Sequence, residues 1–232
     1  MSKKTDIVSS QGVVALIGGG QIDAGDIDLA LQDSTALVAA DGGARAALDQ
    51  GHMPDAVIGD FDSLDGETAA RLPADRLFPI REQDSTDFDK ALRHIAAPLV
   101  LAAGFLGGRV DHQLVVLNTL VRRKTSPCIL IGTHEVIFHA PPEIRLGLDL
   151  GATVSLFPLA PVMGRSGGLR WPIDGIAFAP GGPVGTSNEV TGPVHLRFDD
   201  PGIIVMVPRA AFGQVRQAFL APDRARWPAR AE

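Results

Sequence analysis

The sequence predicts an α/β N-terminal domain with a mostly parallel sheet, followed by a C-terminal β domain. Three observations carry that prediction. Short apolar runs alternate with helical stretches through the first half of the chain, the grammar of a parallel sheet. Those runs end in glycine and acid, as strands do where ligands bind. From Glu135 onward helical periodicity fades, and short apolar runs separated by Gly and Pro take over. We place the division after residue 138, giving domains 1–138 and 139–232. A chain of 232 residues is long enough to fill both.

Val13–Ile17 is a β-rich run that ends in Gly18-Gly19-Gly20, where glycine permits a tight turn close to a phosphate. The following Gln21 breaks any G-x-G-x-x-G dinucleotide fingerprint, so a plain strand-to-loop turn is the reading. Ala36–Ala40 leads into Asp41-Gly42-Gly43-Ala44, and Arg45 to Gln50 reads as a short helix. Ala56–Ile58 leads into Gly59-Asp60-Phe61-Asp62-Ser63, and Leu99–Ala103 into Gly104. Ligands of a parallel sheet gather beyond the carboxyl ends of its strands, which puts these loops on one edge.

In an extended chain Asp60 and Asp62 point the same way. Two carboxylates ~4 Å apart repel by roughly 4 kcal/mol at an effective dielectric near 20, so a fold that holds them together must supply a cation or a proton. A divalent metal is the first candidate, although taken alone the stretch reads rather as a solvated Asp/Ser turn. Further on, Phe88, Ala91, Leu92 and Ile95 carry helical spacing. That places Asp84 and Asp87 on one face, with Asp84 or Ser85 as N-cap. Capping accounts for one acid but not three within six residues, so Asp87 is assigned to the ligands and Asp89 to solvent. Gly104 to His112 then opens a helix over Gln113–Arg122, with Leu114, Leu117 and Val121 on one stripe. Arg109 has the forked donor geometry for phosphate oxygens; a salt bridge to Asp111 is the alternative. His112 has no second His or Cys at metal spacing and is read as a capping or hydrogen-bonding residue, not a zinc ligand.

Composition excludes several classes. A formal charge of −6 argues against a broad nucleic-acid surface. No apolar run approaches the ~20 residues of a membrane span, and the polar stretch Met1–Ser10 has no signal-type apolar segment, so a cytoplasmic protein is expected. The single Cys128, among Ile129, Leu130 and Ile131, reads as a buried thiol rather than a nucleophile.

In the second half, Val136–Phe138, Thr153–Phe157 and Ile203–Val207 read as strands. Val194–Phe198 and Ile203–Val207 flank Asp199-Asp200-Pro201-Gly202, the pattern of a hairpin. Gly164–Gly168 and Ala179–Gly185 read as loops, and Ala221–Glu232 as a loosely held tail. By themselves, Trp171 suits core packing or a stacking surface, and Ser187-Asn188 an ordinary polar turn.

Taken in order, Asp41-Gly42-Gly43-Ala44, Gly59-Asp60-Phe61-Asp62-Ser63, Asp84-Ser85-Thr86-Asp87 and Gly107-Gly108-Arg109-Val110-Asp111-His112 resemble the thiamine pyrophosphokinase (thiamine diphosphokinase) family. Val154–Pro158, Gly168-Leu169-Arg170-Trp171-Pro172 and Ser187-Asn188-Glu189-Val190 resemble its later motifs, so the likeness covers most of the chain. The resemblance implies a nucleotide-binding α/β domain, a C-terminal β-sandwich that binds thiamine, and a homodimer with the active site between subunits. It implies transfer of the β,γ-diphosphoryl group of ATP to the hydroxyethyl oxygen of thiamine, giving thiamine diphosphate and AMP. It implies Mg²⁺ on Asp60, Asp62 and Asp87, with Asp62, Asp87 and Arg109 acting in catalysis. Nucleotide contacts fall on Asp41, Gly42, Gly43, Asp84, Thr86, Gly108, Arg109 and Asp111; thiamine contacts fall on Trp171, Ser187 and Asn188. Arg45 and Val116 stand where the family often has Asn, which bears on nucleotide contacts and not on the metal acids. Alternatives are a diphosphokinase for another, pterin-like heterocyclic alcohol, and a non-catalytic nucleotide or thiamine sensor on the same fold.

Overall fold

The computed structural model describes residues 6–228, so parts of the polar amino-terminal stretch and of the expected tail lie outside the described residues. The chain divides into two compact units, one comprising the residues up to Thr119 with Leu130–Gly132, the other Leu120–Ile129 with the residues from Thr133.

The first unit runs in chain order β1 (Val8–Ser9), β2 (Val13–Ile17), α1 (Asp26–Leu31), β3 (Ser34–Ala40), α2 (Gly43–Asp49), β4 (Ala56–Gly59), α3 (Gly66–Ala70), β5 (Leu77–Pro79), α4 (Asp87–Arg93), β6 (Ile95–Ala96) and β7 (Val100–Ala103). After these come α5 (Val110–Arg122) and β8 (Cys128–Ile131). Parallel pairing gives the order β7-β2-β3-β4-β5, as the alternating runs predict. Strands β2, β4 and β7 are buried along their whole length, which is why they read as continuous apolar runs rather than alternating ones.

Helix α4 lies against β3 and β4 and is buried from Phe88 to Leu92. Asp89 is therefore 1% exposed, not turned to solvent as its polarity suggests. The N-cap is Thr86, whose hydroxyl accepts from the Asp89 N–H, so Asp84 precedes the helix on an exposed bend and shares no helical face with Asp87. Helix α5 starts at Val110 rather than Gln113, and its buried positions are Val116, Thr119 and Leu120, whereas Leu114 is 59% exposed. Cys128 is buried, as its neighbours imply.

The second unit is built from β9 (Glu135–His139), β10 (Glu143–Leu146), β11 (Thr153–Pro158), β12 (Gly164–Leu169), β13 (Gly185–Phe198), β14 (Ile203–Pro208) and α6 (Phe212–Leu220). Every pairing among its strands is antiparallel. One sheet runs β13-β11-β14-β9 and the other β10-β13-β12, so β13 belongs to both, in keeping with a β-sandwich. Alternate residues point inward: Val154, Leu156 and Pro158 from β11, and Val194, Leu196 and Phe198 from β13.

Two expectations change here. Strands β13 and β14 are not a hairpin, because β11 pairs with both and lies between them. Gly164–Leu169 is a strand despite its glycines, and close packing explains the composition: a Cβ on Gly164 would fall 2.6 Å from the Phe198 ring. The segment after α6 is anchored within its described part. The Trp227 indole N–H donates to the Ala140 carbonyl at 2.8 Å, and its ring stacks on His139.

Candidate active site

The carboxyl edge of the parallel sheet gathers the acids. Asp41 follows the last residue of β3, Asp60 follows the last residue of β4, and Asp87 is the first residue of α4. One carboxylate oxygen from each lies within 4.8 Å of the others. Gly59 makes the approach possible, since a Cβ there would meet the Asp41 Cβ at 2.8 Å. Asp41 Oδ2 accepts from the Ser63 N–H at 3.1 Å, whereas Asp41 Oδ1 is buried with no hydrogen-bond partner among the described residues.

Asp62, expected beside Asp60 on an extended chain, is placed differently. Strand β4 ends at Gly59, and Phe61 has φ 66° and packs onto the cluster of Ala39, Ala44, Leu48, Val57 and Leu72. This left-handed residue turns the chain, so the Asp60 side chain is only 12% exposed while Asp62 lies on the exposed rim. There Asp62 accepts from the Ser63 hydroxyl at 3.0 Å and donates its own N–H to Asp60 Oδ1 at 3.4 Å. Close approach of three carboxylates therefore falls to Asp41 with Asp60 and Asp87, a grouping that sequence order alone did not single out.

Sequence reasoning also missed Lys90. Its ammonium donates to Asp60 Oδ2 at 2.6 Å and to Asp87 Oδ1 at 3.2 Å, with 1% of its side chain exposed. The signal was present: Lys90 stands three residues after Asp87, on the same helical face, in a segment whose apolar residues predict burial. This is the cation that two adjacent carboxylates require.

The electrostatics follow from these contacts. Burial, reinforced by the neighbouring Asp62 and Asp87 carboxylates, pushes Asp41 up to about 6 against the Ser63 hydrogen bond. Burial likewise raises Asp87, outweighing the hydrogen bond from Lys90. The hydrogen bond from Lys90 instead lowers Asp60, which takes the shorter of the two contacts. For Lys90, burial works downward, but the hydrogen bonds to Asp60 and Asp87 prevail and its ammonium is held above the usual lysine range.

The remaining nucleotide-side residues surround this cluster in sequence. Gly42 is the N-cap of α2, and Gly43 is its buried first residue. Thr86 caps α4, and Asp84 is exposed. Arg109 follows Gly107 and Gly108, which have φ 79° and 70°. Of the two readings of Arg109, the ion pair is the one observed: its Nε and Nη2 donate to the two oxygens of Asp111 at 3.1 and 2.5 Å, a fork of the kind that fits a phosphate. Arg45 is exposed, 3.8 Å from Asp49, and Val116 is buried in α5.

Within the second unit, Trp171 and Asn188 are brought together. Asn188 is 5% exposed; its Oδ1 accepts from the Trp171 and Glu189 N–H groups, and its amide donates to the Trp171 carbonyl at 2.6 Å. Its side chain is thus committed to holding the Trp171 backbone, while Trp171 as a residue stays 55% exposed, its ring beneath the Arg170 guanidinium, 5.1 Å from the ring centre. Ser187 has φ 58°, and its N–H donates to Ser155 Oγ at 2.9 Å.

Comparison with known proteins gives the family. Residues 27–131 match the family model for the thiamin pyrophosphokinase catalytic domain, and residues 138–203 match that for the thiamin pyrophosphokinase vitamin B1 binding domain. Thiamine pyrophosphokinase 1 of Oryza sativa is 28% identical over 187 residues, covering 66% of this chain and 71% of that protein. Thiamin pyrophosphokinase 1 of Caenorhabditis elegans is 26% identical over 155 residues, covering 60% and 63%. Among solved structures, thiamin pyrophosphokinase from Candida albicans superposes with a TM-score of 0.72 at 17% identity, covering 90% of this chain and 94% of that one. Thiamine pyrophosphokinase from Bacillus subtilis gives 0.69 at 24% identity, covering 84% and 98%. These likenesses at low identity concern the fold, while the two family models together take in most of the chain; the chain belongs to the thiamine pyrophosphokinase family.

Proposed function

We propose that the chain transfers the diphosphoryl group of ATP to the hydroxyethyl oxygen of thiamine, forming thiamine diphosphate and AMP. The observation that carries this reading is the meeting of Asp41, Asp60 and Asp87 at the carboxyl edge of a parallel sheet, in a chain that also matches a vitamin B1 binding domain. The new bond joins the thiamine oxygen to the β-phosphorus, and the bond broken is that between the β-phosphorus and the oxygen that leaves with AMP.

The donor set suits Mg²⁺. Among the described residues, four carboxylates, Asp41, Asp60, Asp62 and Asp87, stand against the ammonium of Lys90, and Asp41 Oδ1 is a buried acceptor without a donor. Hard divalent cations take a few carboxylates together with phosphate oxygens and water. Asp41, Asp60 and Asp87 would hold the ion, with Asp62 at the rim. When bound, Mg²⁺ supplies charge neutralisation and orientation at the phosphates. Lys90 fixes Asp60 and Asp87 in place, so that little reorganisation is needed at the moment of reaction. Arg109 would exchange Asp111 for a phosphate, and Trp171, set by Asn188, would offer its face to the pyrimidine of thiamine. The same reading carries a cytoplasmic homodimer with the active site between subunits.

Incubation with thiamine, ATP and Mg²⁺ should give thiamine diphosphate and AMP in equal amounts. ADP as co-product would overturn the diphosphoryl step. The ring of the exposed Trp171 would accept other flat heterocycles, so a pterin-like alcohol that outcompetes thiamine would reassign the acceptor while leaving the phosphate chemistry intact.

A further inference from the structure

A cavity of about 200 Å³ lies within the second unit, bounded by α6, the segment after it, the loop before β8 and the start of β10. It shares no residue with the acid cluster or with Trp171, Ser187 and Asn188. Its wall from Ala218 to Trp227 lies beyond the residues that either family model matches.

The lining is of two kinds. Ile144, Phe219 and Trp227 give apolar surface, and Trp227 is fixed through its bond to the Ala140 carbonyl and its stacking on His139. Lys124, Arg145, Arg224 and Arg226 bring positive charge, against the carboxylates of Glu143 and Asp223. Arg145 is committed to Glu143 at 2.8 Å, and Glu143 is further engaged by His195 and Arg197. Arg224 is incompletely satisfied: one Nη donates to the Ala221 carbonyl at 3.1 Å, while its Nε is buried without a partner among the described residues. A buried donor on a charged group is costly to leave unpaired, and an anionic acceptor in the cavity would complete it. Arg226, another lining residue, is exposed, and partial burial with the nearby Arg224 lowers it from the usual arginine range.

We propose that this cavity binds a small flat organic anion, with its ring against Phe219 and Trp227 and its carboxylate or phosphate group on Arg224 and Lys124. The apolar wall and the unpaired guanidinium N–H lie in one enclosure, the usual division of labour in a small-molecule site.

Benzoate and phenyl phosphate, titrated separately into the full chain, test this and distinguish the two head groups. Binding is read from Trp227 fluorescence in a Trp171→Phe background. At least one probe should bind saturably with a Kd of about 1 mM or tighter. Arg224→Gln should weaken it by about tenfold or more, the loss expected for charge-assisted hydrogen bonds. Saturating thiamine and ATP should leave it unchanged. No saturable binding of either probe up to about 10 mM would overturn the proposal. So would equal affinity in a folded Arg224→Gln variant, or displacement by ATP. Should Arg224→Gln fail to fold, Lys124→Gln decides on the same terms: weakened binding supports the site and unchanged affinity overturns it.

Discussion

The Lys90 ammonium stands 2.6 Å from Asp60 Oδ2 and is almost wholly withdrawn from solvent. It also reaches Asp87, so one buried cation ties a loop after β4 to the start of α4. Lys90→Met keeps the length of the side chain and removes the charge, leaving two carboxylates uncompensated. Breaking such a buried pair costs about 3 kcal/mol, and we expect that loss in urea unfolding without divalent cation. Added Mg²⁺ should recover part of it. An unchanged urea midpoint would show that the pair contributes nothing to stability.

Asp41 and Asp62 differ in burial, and their substitutions should differ accordingly. Asp41→Asn removes an anion whose second oxygen is buried without a donor among the described residues. We expect turnover to fall by about a hundredfold, with far-UV circular dichroism unchanged. Asp62→Asn, on the exposed rim, should also slow turnover but weaken Mg²⁺ binding less, as calorimetry would measure. The reverse order of Mg²⁺ affinities would move the metal toward the rim.

Trp171 and Asn188 should separate binding from positioning. Trp171→Ala is expected to raise the KM for thiamine and leave that for ATP nearly unchanged. Asn188→Ala removes the three hydrogen bonds that set the Trp171 backbone and the start of Glu189, so it should raise the same KM and also cost about 1–3 kcal/mol of stability. Equal loss of thiamine and ATP affinity in Trp171→Ala would make that ring structural.

His139 gives the fold an acid-sensitive point. Burial, with a smaller contribution from Lys124, lowers it to about 4 from an ordinary 6.5, and its Nε2 accepts from the Gly202 N–H at 3.1 Å. The neutral ring is thus favoured in the folded chain, and between those two values the unfolded chain binds more protons. Its stabilisation is complete above pH ~6.5, declines as pH falls, and levels off below pH ~4, amounting to at most about 3 kcal/mol before solvent screening. Urea unfolding across that range should show the decline in the parent chain and a shallower one in His139→Gln.

The backbone plan of the first unit was legible because buried parallel strands announce themselves as apolar runs, and their ends as glycine and acid. The site was legible to the level of loops. Choosing among acids within a loop was not, because Phe61 turns left-handed and packs onto an apolar cluster assembled from β3, α2, β4 and the Leu72 region. Asp89 looks like a solvent-facing helix residue until α4 packs against β3 and β4. In the second unit, Val194–Phe198 and Ile203–Val207 each read correctly as a strand, but their partners did not follow, since β11 comes from far earlier in the chain and pairs with both. Local pattern reports a strand's faces and says little about its neighbours.

Strand β13 changes partners within its own length: Asn188 and Glu189 pair with β11, and the next residue, Val190, pairs with Leu169 of β12. Asn188, the residue that grips Trp171, therefore sits at the seam of two sheets. Loops around it can lengthen or shorten without moving that seam, but a one-residue insertion in β13 would invert the faces beyond it and carry the ring's mounting point away. The aromatic surface is thus as exact in position as the sandwich core, and its drift over sequence change should be tied to that of the core rather than to that of the loops beside it.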